Sequence, residues 1–186
     1  MTHADLLIGR VLRTDGNPFA EGIDAVRIET GGAVLLRDGK VADVGPAETL
    51  RKAHPDARRH EHGDALICPG FVDAHVHYPQ TAIIASWGKR LIDWLDTYTF
   101  PEEMRFGDPD YARAQAERYL DLTAAHGTTT VASYCTIHPE SVEAFFAAAE
   151  ARGQRVLAGK TCMDRNAPDG LRDSQFSFSL PINFSS

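Results

Sequence analysis

His75 and His77 stand one residue apart at the end of an apolar run, in the stretch ICPGFVDAHVHYPQ from Ile67 to Gln80. In a β-strand residues i and i+2 share a face, so two imidazoles at this spacing can converge on one ion. Asp73 is expected to share that face, with Ala74, Val76 and Tyr78 on the other. Zinc bonds histidine nitrogen at about 2.0–2.1 Å and catalytic sites use three protein ligands, so the pair is half of a site. Asp73 is either an acceptor that orients a ligand histidine or a cap on the backbone near the turn. A His-X-His pair taken alone is equally an ordinary pair of hydrogen-bonded or exposed side chains. The chain holds a control: His60 and His62 have the same spacing but lie amid Arg58, Arg59 and Glu61. That polar setting reads as surface.

The elements that must position His75 and His77 can be read around them. From Asp5 to about Gly45 short apolar runs suggest a small antiparallel sheet. Asp38-Gly39 between two of them signals a type I′ hairpin turn, which needs positive φ at both central residues. The polar segment from Pro46 to Asp64 reads as a short helix and a surface loop before ALICPGFVDAHV, in which the strongly apolar ALICPGFV suits a strand buried on both faces. Beyond it strands and helices alternate. Asp108 is an N-cap with Pro109 at the first helical position, and Ala112, Ala116, Tyr119 and Thr123 share a face before Gly127. TTTVASYC is the next strand. Val142, Phe145, Phe146 and Ala149 mark a second helix that ends at Gly153, and QRVLAGKTCM is a third strand. This succession implies parallel βαβ units, and residues at the C-terminal ends of such strands gather at the functional face.

Composition bounds the partners. With 186 residues, 43% hydrophobic, 24% charged and a net charge of -7, the chain reads as an ordinary soluble globular protein. It lacks the clustered positive charge that nucleic acids or anionic membranes require. There is no apolar stretch of about 18 residues and no signal-like N-terminus, so a cytoplasmic location is expected. Cys68, Cys135 and Cys162 read as buried free thiols. The last 13 residues carry no charge. Phe176, Phe178, Leu180, Ile182 and Phe184 alternate there as in a strand interrupted by Pro181, or the segment is an altered C-terminus.

PGFVDAHVH, preceded by RDGKVADVGP, resembles the start of the amidohydrolase superfamily, metal-dependent hydrolases built on a (β/α)₈ barrel. HVHYPQ, LIDWLDTYTFPEEMRF, HGTTT, HPESV and GKTCMDRNAPDGL narrow the resemblance to its guanine deaminases, over about Asp5 to Asp173. The resemblance implies an α/β chain: an N-terminal β-sandwich part (1–66), the first βα units of an incomplete (β/α)₈ TIM-like barrel (67–173), and the atypical tail (174–186). It implies His75 and His77 as ligands to Zn²⁺, with Fe²⁺ the alternative, and hydrolytic conversion of guanine to xanthine and ammonia. Gln80 falls where the family contacts the purine, and an amide offers both a donor and an acceptor to a purine edge. A homodimer is implied for the full-length form.

The resemblance also implies what is missing. Two further histidines, a catalytic Glu and a metal-binding Asp come from later strands of the family. A complete barrel takes about 250 residues, whereas about 100 lie between Pro69 and the tail. No catalytic residue is therefore assigned within the chain, which is expected to be inactive alone. His126 falls at the opposite end of the barrel from the site, and His138 reads as a cap or loop-packing residue. Trp94, Tyr98 and Phe100 are assigned no contact, and Asp164, Arg165 and Asn166, which follow the third strand at the site's face, read as a hydrogen-bonded loop, with a structural or substrate-proximal role the alternative. The alternatives are an amidohydrolase acting on another aminated heterocycle and a non-catalytic folded module.

Overall fold

The computed structural model describes residues 4–173, so the reading of the uncharged tail lies outside the described residues. The chain divides into two units, one ending at Pro69 and the other beginning at Gly70.

The first unit contains strands β1 (Ala4–Thr14), β2 (Val26–Arg37), β3 (Lys40–Pro46) and β4 (Arg58–Ile67), with short helices α1 (Pro18–Glu21) and α2 (Ala47–Ala53). Its sheet has the order β3-β2-β1-β4. Asp38 and Gly39 take φ of 52° and 73° and pair Arg37 with Lys40, as the hairpin signal requires. Leu6, Ile8, Ala33 and Leu35 pack beneath Ala47 and Leu50 of α2. The antiparallel sheet expected from Asp5 to about Gly45 is present as β1, β2 and β3, and β4 extends it by joining β1 in parallel. RRHEHGDALI is thus a strand and not a surface loop. The lack of period-two alternation hid it: among its ten residues only His60 and Ile67 are shielded from solvent even in part. His60 Nε2 lies 2.7 Å from Asp5 Oδ1 and His62 is exposed.

The second unit opens with β5 (Phe71–His77), a 3₁₀ turn (Tyr78–Ile83), α3 (Leu91–Trp94), a π-helical turn (Leu95–Thr99) and α4 (Phe100–Met104). There follow α5 (Pro109–Ala125), β6 (Thr128–Tyr134), α6 (Pro139–Arg152) and β7 (Arg155–Gly159). The three strands form a parallel sheet in the order β5-β6-β7. Asp108 caps α5 by accepting from the Asp110 and Tyr111 N–H groups, and Gly153 ends α6 in the left-handed region. Ala112, Ala116 and Leu120 of α5 and Phe145, Ala148 and Ala149 of α6 bury Val131, Val156 and Ala158 of the sheet. This is an unclosed (β/α)-barrel-like architecture, with α5 and α6 covering one face of the sheet.

The strand expected over ALICPGFV is divided between two strands. Ala65–Ile67 ends β4 in the first sheet, and β5 begins at Phe71 in the second. Nor is β5 buried on both faces, for Phe71 and Val72 are 62% and 68% exposed. Among the described residues β5 has a strand neighbour on one side only, so apolar composition alone does not bury it. Of the three thiols, Cys135 is buried, but Cys68 and Cys162 are exposed because they lie in the segments after β4 and β7.

Candidate metal and purine site

Sheet register decides what faces the site. Asp73 pairs beside Val131 and Val76 beside Ser133, so three steps along β5 match two along β6. The extra residue is a bulge at Ala74–His75. It turns Asp73 toward the helix layer, away from the face expected from simple alternation. Burial, then the charge of Asp73, push the Tyr119 hydroxyl of α5 up in pKa. Asp73 Oδ1 accepts from the His75 backbone N–H at 3.2 Å. Of the two roles open to it, the backbone cap is the one observed.

His75 and His77 share the face opposite the helices. Their ring centroids are 5.5 Å apart. Tyr134, which pairs with His77 from the end of β6, packs against both: its ring lies 4.9 Å from His77 in a stacked arrangement and 5.3 Å from His75. His75 is exposed and His77 half-buried. Burial, reinforced by neighbouring His75, holds the His77 imidazole below its ordinary pKa and favours the neutral form. A recess of ≈ 260 Å³ opens here, with Ala74, His75, Ala132, Tyr134, Leu157 and Lys160 among its walls. Among the described residues no third His, Cys, Asp or Glu joins the pair.

The next residue anchors the pair from behind. Tyr78 is fully buried, stacked on Phe145 at 4.4 Å and edge-on to Phe106 at 5.5 Å. Its hydroxyl donates to the Ser141 carbonyl at 2.5 Å and its N–H to Ser133 Oγ at 3.1 Å. The chain then turns through the 3₁₀ segment that carries Gln80, whose amide nitrogen donates to Glu103 Oε1 of α4 at 3.4 Å.

The other polar candidates stand apart. His126 is exposed at the C-terminal end of α5, with Nδ1 2.8 Å from the Leu122 carbonyl. His138 occupies the N-cap position of α6 without a side-chain capping bond, and its Nε2 is buried with no hydrogen-bond partner. Ser141 ties down the segment before α6 by donating to the His138 carbonyl at 2.7 Å and accepting from Thr136. Asp164, Arg165 and Asn166 are exposed. Their loop is tied at its base by Asp173, which accepts from the Met163 N–H and pairs with buried Lys160. Trp94, Tyr98 and Phe100 are half-buried. Sequence reasoning missed Tyr134 and Glu103. Register alone reveals Tyr134, and nothing in the helical period marks Glu103.

A profile of the amidohydrolase family matches residues 66–183. The chain belongs to the amidohydrolase family. Another profile, an imidazolonepropionase-like composite domain of bacteria, matches residues 32–57. This amidohydrolase chain is 42% identical over 165 residues to the guanine deaminase of Escherichia coli (strain K12), covering 88% of the chain and 37% of that enzyme. The solved guanine deaminase of Bradyrhizobium japonicum aligns with a TM-score of 0.86 at 34% identity, over 92% of this chain and 38% of that one. The structure of guanine deaminase from C. acetobutylicum with bound guanine in the active site aligns at 0.78 and 29% identity, over 92% and 39%. The chain thus spans less than two fifths of the length of the E. coli relative.

Proposed function

We propose that this chain supplies the first metal ligands and a purine contact of a zinc-dependent guanine deaminase. The observation that carries the reading is the pair His75 and His77 on one face at the C-terminal end of β5, with Gln80 in the turn that follows. The pair fits a zinc ion in donor chemistry, because both side chains are imidazoles on a common face and His77 is held toward its neutral, ligating form. Iron(II) is the alternative metal. When bound, the metal supplies Lewis acidity. Tyr134 covers one side of the pair and limits how the two rings can turn. Gln80 offers an amide to the purine edge. The guanine assignment is supported by the bound guanine of the C. acetobutylicum relative and by the identity with the E. coli enzyme.

Zinc titration of the chain beside His75→Ala, His77→Ala and His60→Ala tests the ligand pair. Either of the first two substitutions is expected to weaken binding, and His60→Ala to leave it unchanged. The reverse order would refute the choice of pair. With two ligands and no assigned catalytic residue, the chain by itself is expected to leave guanine unconverted. The substrate reading is tested in a chimera that joins residues 1–173 to the remainder of the E. coli enzyme. Ammonia release from guanine, but not from other aminated heterocycles, is the expected result.

A further inference from the structure

Glu102 and Glu103 are adjacent carboxylates on α4, each only 6% exposed. Buried carboxylates need partners. Glu102 has them: the Arg105 guanidinium at 3.0 Å and the Tyr111 hydroxyl. Among the described residues Glu103 has no cation in its hydrogen-bonding shell, and its partner is the amide of Gln80. Burial pushes the Glu103 carboxyl up in pKa, and the Gln80 bond draws it back.

This pairing has a directional consequence. The two ends of an amide are nearly isosteric but opposite in hydrogen-bonding character, and a neighbour decides which way the group faces. An ionised carboxylate only accepts, so it takes the Gln80 NH₂ and leaves the Gln80 carbonyl oxygen as the free end. With a neutral amide in place of Glu103, either orientation of Gln80 would be satisfied.

We propose that Glu103 is a positioning residue that holds the Gln80 amide with its oxygen free, so that this site selects a purine edge presenting an N–H donor there. The inference rests on the reading of Gln80 as a purine contact and adds the group that sets its polarity. Glu103 acts through Gln80 and does not touch the reacting atoms.

Two measurements test it. In the chain labelled with ¹⁵N at glutamine side chains, Glu103→Gln is expected to shift the Gln80 NH₂ signals and Glu102→Gln to leave them in place. Unmoved signals in Glu103→Gln overturn the proposal. In the chimera, Glu103→Gln is expected to raise KM for guanine about tenfold with kcat within about threefold, and Gln80→Ala to do the same. Adding Glu103→Gln to Gln80→Ala should then cost less than about twofold more, because coupled groups are not additive. A merely structural Glu103 would lower kcat or multiply with Gln80→Ala, and either result ends this proposal while the purine contact stands. Unchanged guanine kinetics in Gln80→Ala would remove Gln80 from the purine site and end both readings.

Discussion

Replacing Tyr78 separates what its ring contributes from what its hydroxyl contributes. The ring is fully buried between Phe145 and Phe106, directly after the second candidate ligand, His77. Tyr78→Phe keeps the ring and deletes one hydrogen bond to the Ser141 carbonyl. A bond of this kind is worth about 0.5–1.5 kcal/mol net, so a loss of about 1 kcal/mol is expected. Tyr78→Ala empties the space between two aromatic rings, and large aromatic-to-alanine changes in cores cost about 3–5 kcal/mol. Against a total domain stability of about 5–15 kcal/mol, the alanine variant should sit near the edge of folding and the phenylalanine variant well inside it. Urea unfolding followed by far-ultraviolet circular dichroism gives both numbers. Zinc uptake by the phenylalanine variant should match the parent, because the Tyr78 N–H bond to Ser133 Oγ is backbone and survives. An alanine variant no less stable than the phenylalanine variant would refute the reasoning, since ring burial would then carry nothing.

Other outcomes follow from the same geometry. An aromatic disulfide reagent should modify Cys68 and Cys162 in the folded chain and reach Cys135 only on unfolding, since burial pushes the Cys135 thiol up to about 12; rapid reaction of all three thiols would contradict the packing around Cys135. His138 is held below its ordinary 6.5, chiefly by burial with Lys160 adding and Glu140 and Asp173 opposing. The unfolded chain therefore takes up the proton first, and stability present above about pH 6.5 is lost as pH falls toward the folded-state value. His77 contributes with the same sign. His138→Asn should flatten the fall in urea midpoint between about pH 7.5 and about pH 5.5, and an unaltered slope would show that His138 titrates alike in both states. Gly39→Ala should destabilise the first unit by about 1 kcal/mol, because φ of 73° is strained for alanine although no atom obstructs its Cβ; an unchanged melting temperature would argue against the turn.

Local chemistry wrote much of this protein into its sequence. Asp108-Pro109 and Gly153 bound their helices because capping and left-handed backbone are properties of single residues. Asp38-Gly39 makes its turn for the same reason. The candidate ligands were legible as a spacing, and the amidohydrolase family as a set of motifs. Strand partners were not legible. Whether Arg58–Ile67 is loop or strand depends on β1 accepting it in parallel, and the exposure of Phe71 and Val72 depends on how many strands stand beside them.

The site divides the same way. Period-two alternation placed His75 and His77 together correctly and Asp73 with them wrongly, because one residue inserted against the β6 register between Asp73 and Val76 reverses the facing of Asp73. Tyr134 reaches the histidines only through that register, and Glu103 reaches Gln80 only because the helical connection folds back over the turn after β5. Residue types and short spacings belong to the chain alone. Which side chains meet across 23 or 57 positions of sequence is decided by packing, where the free energy of burial selects one pairing among many that local preference allows.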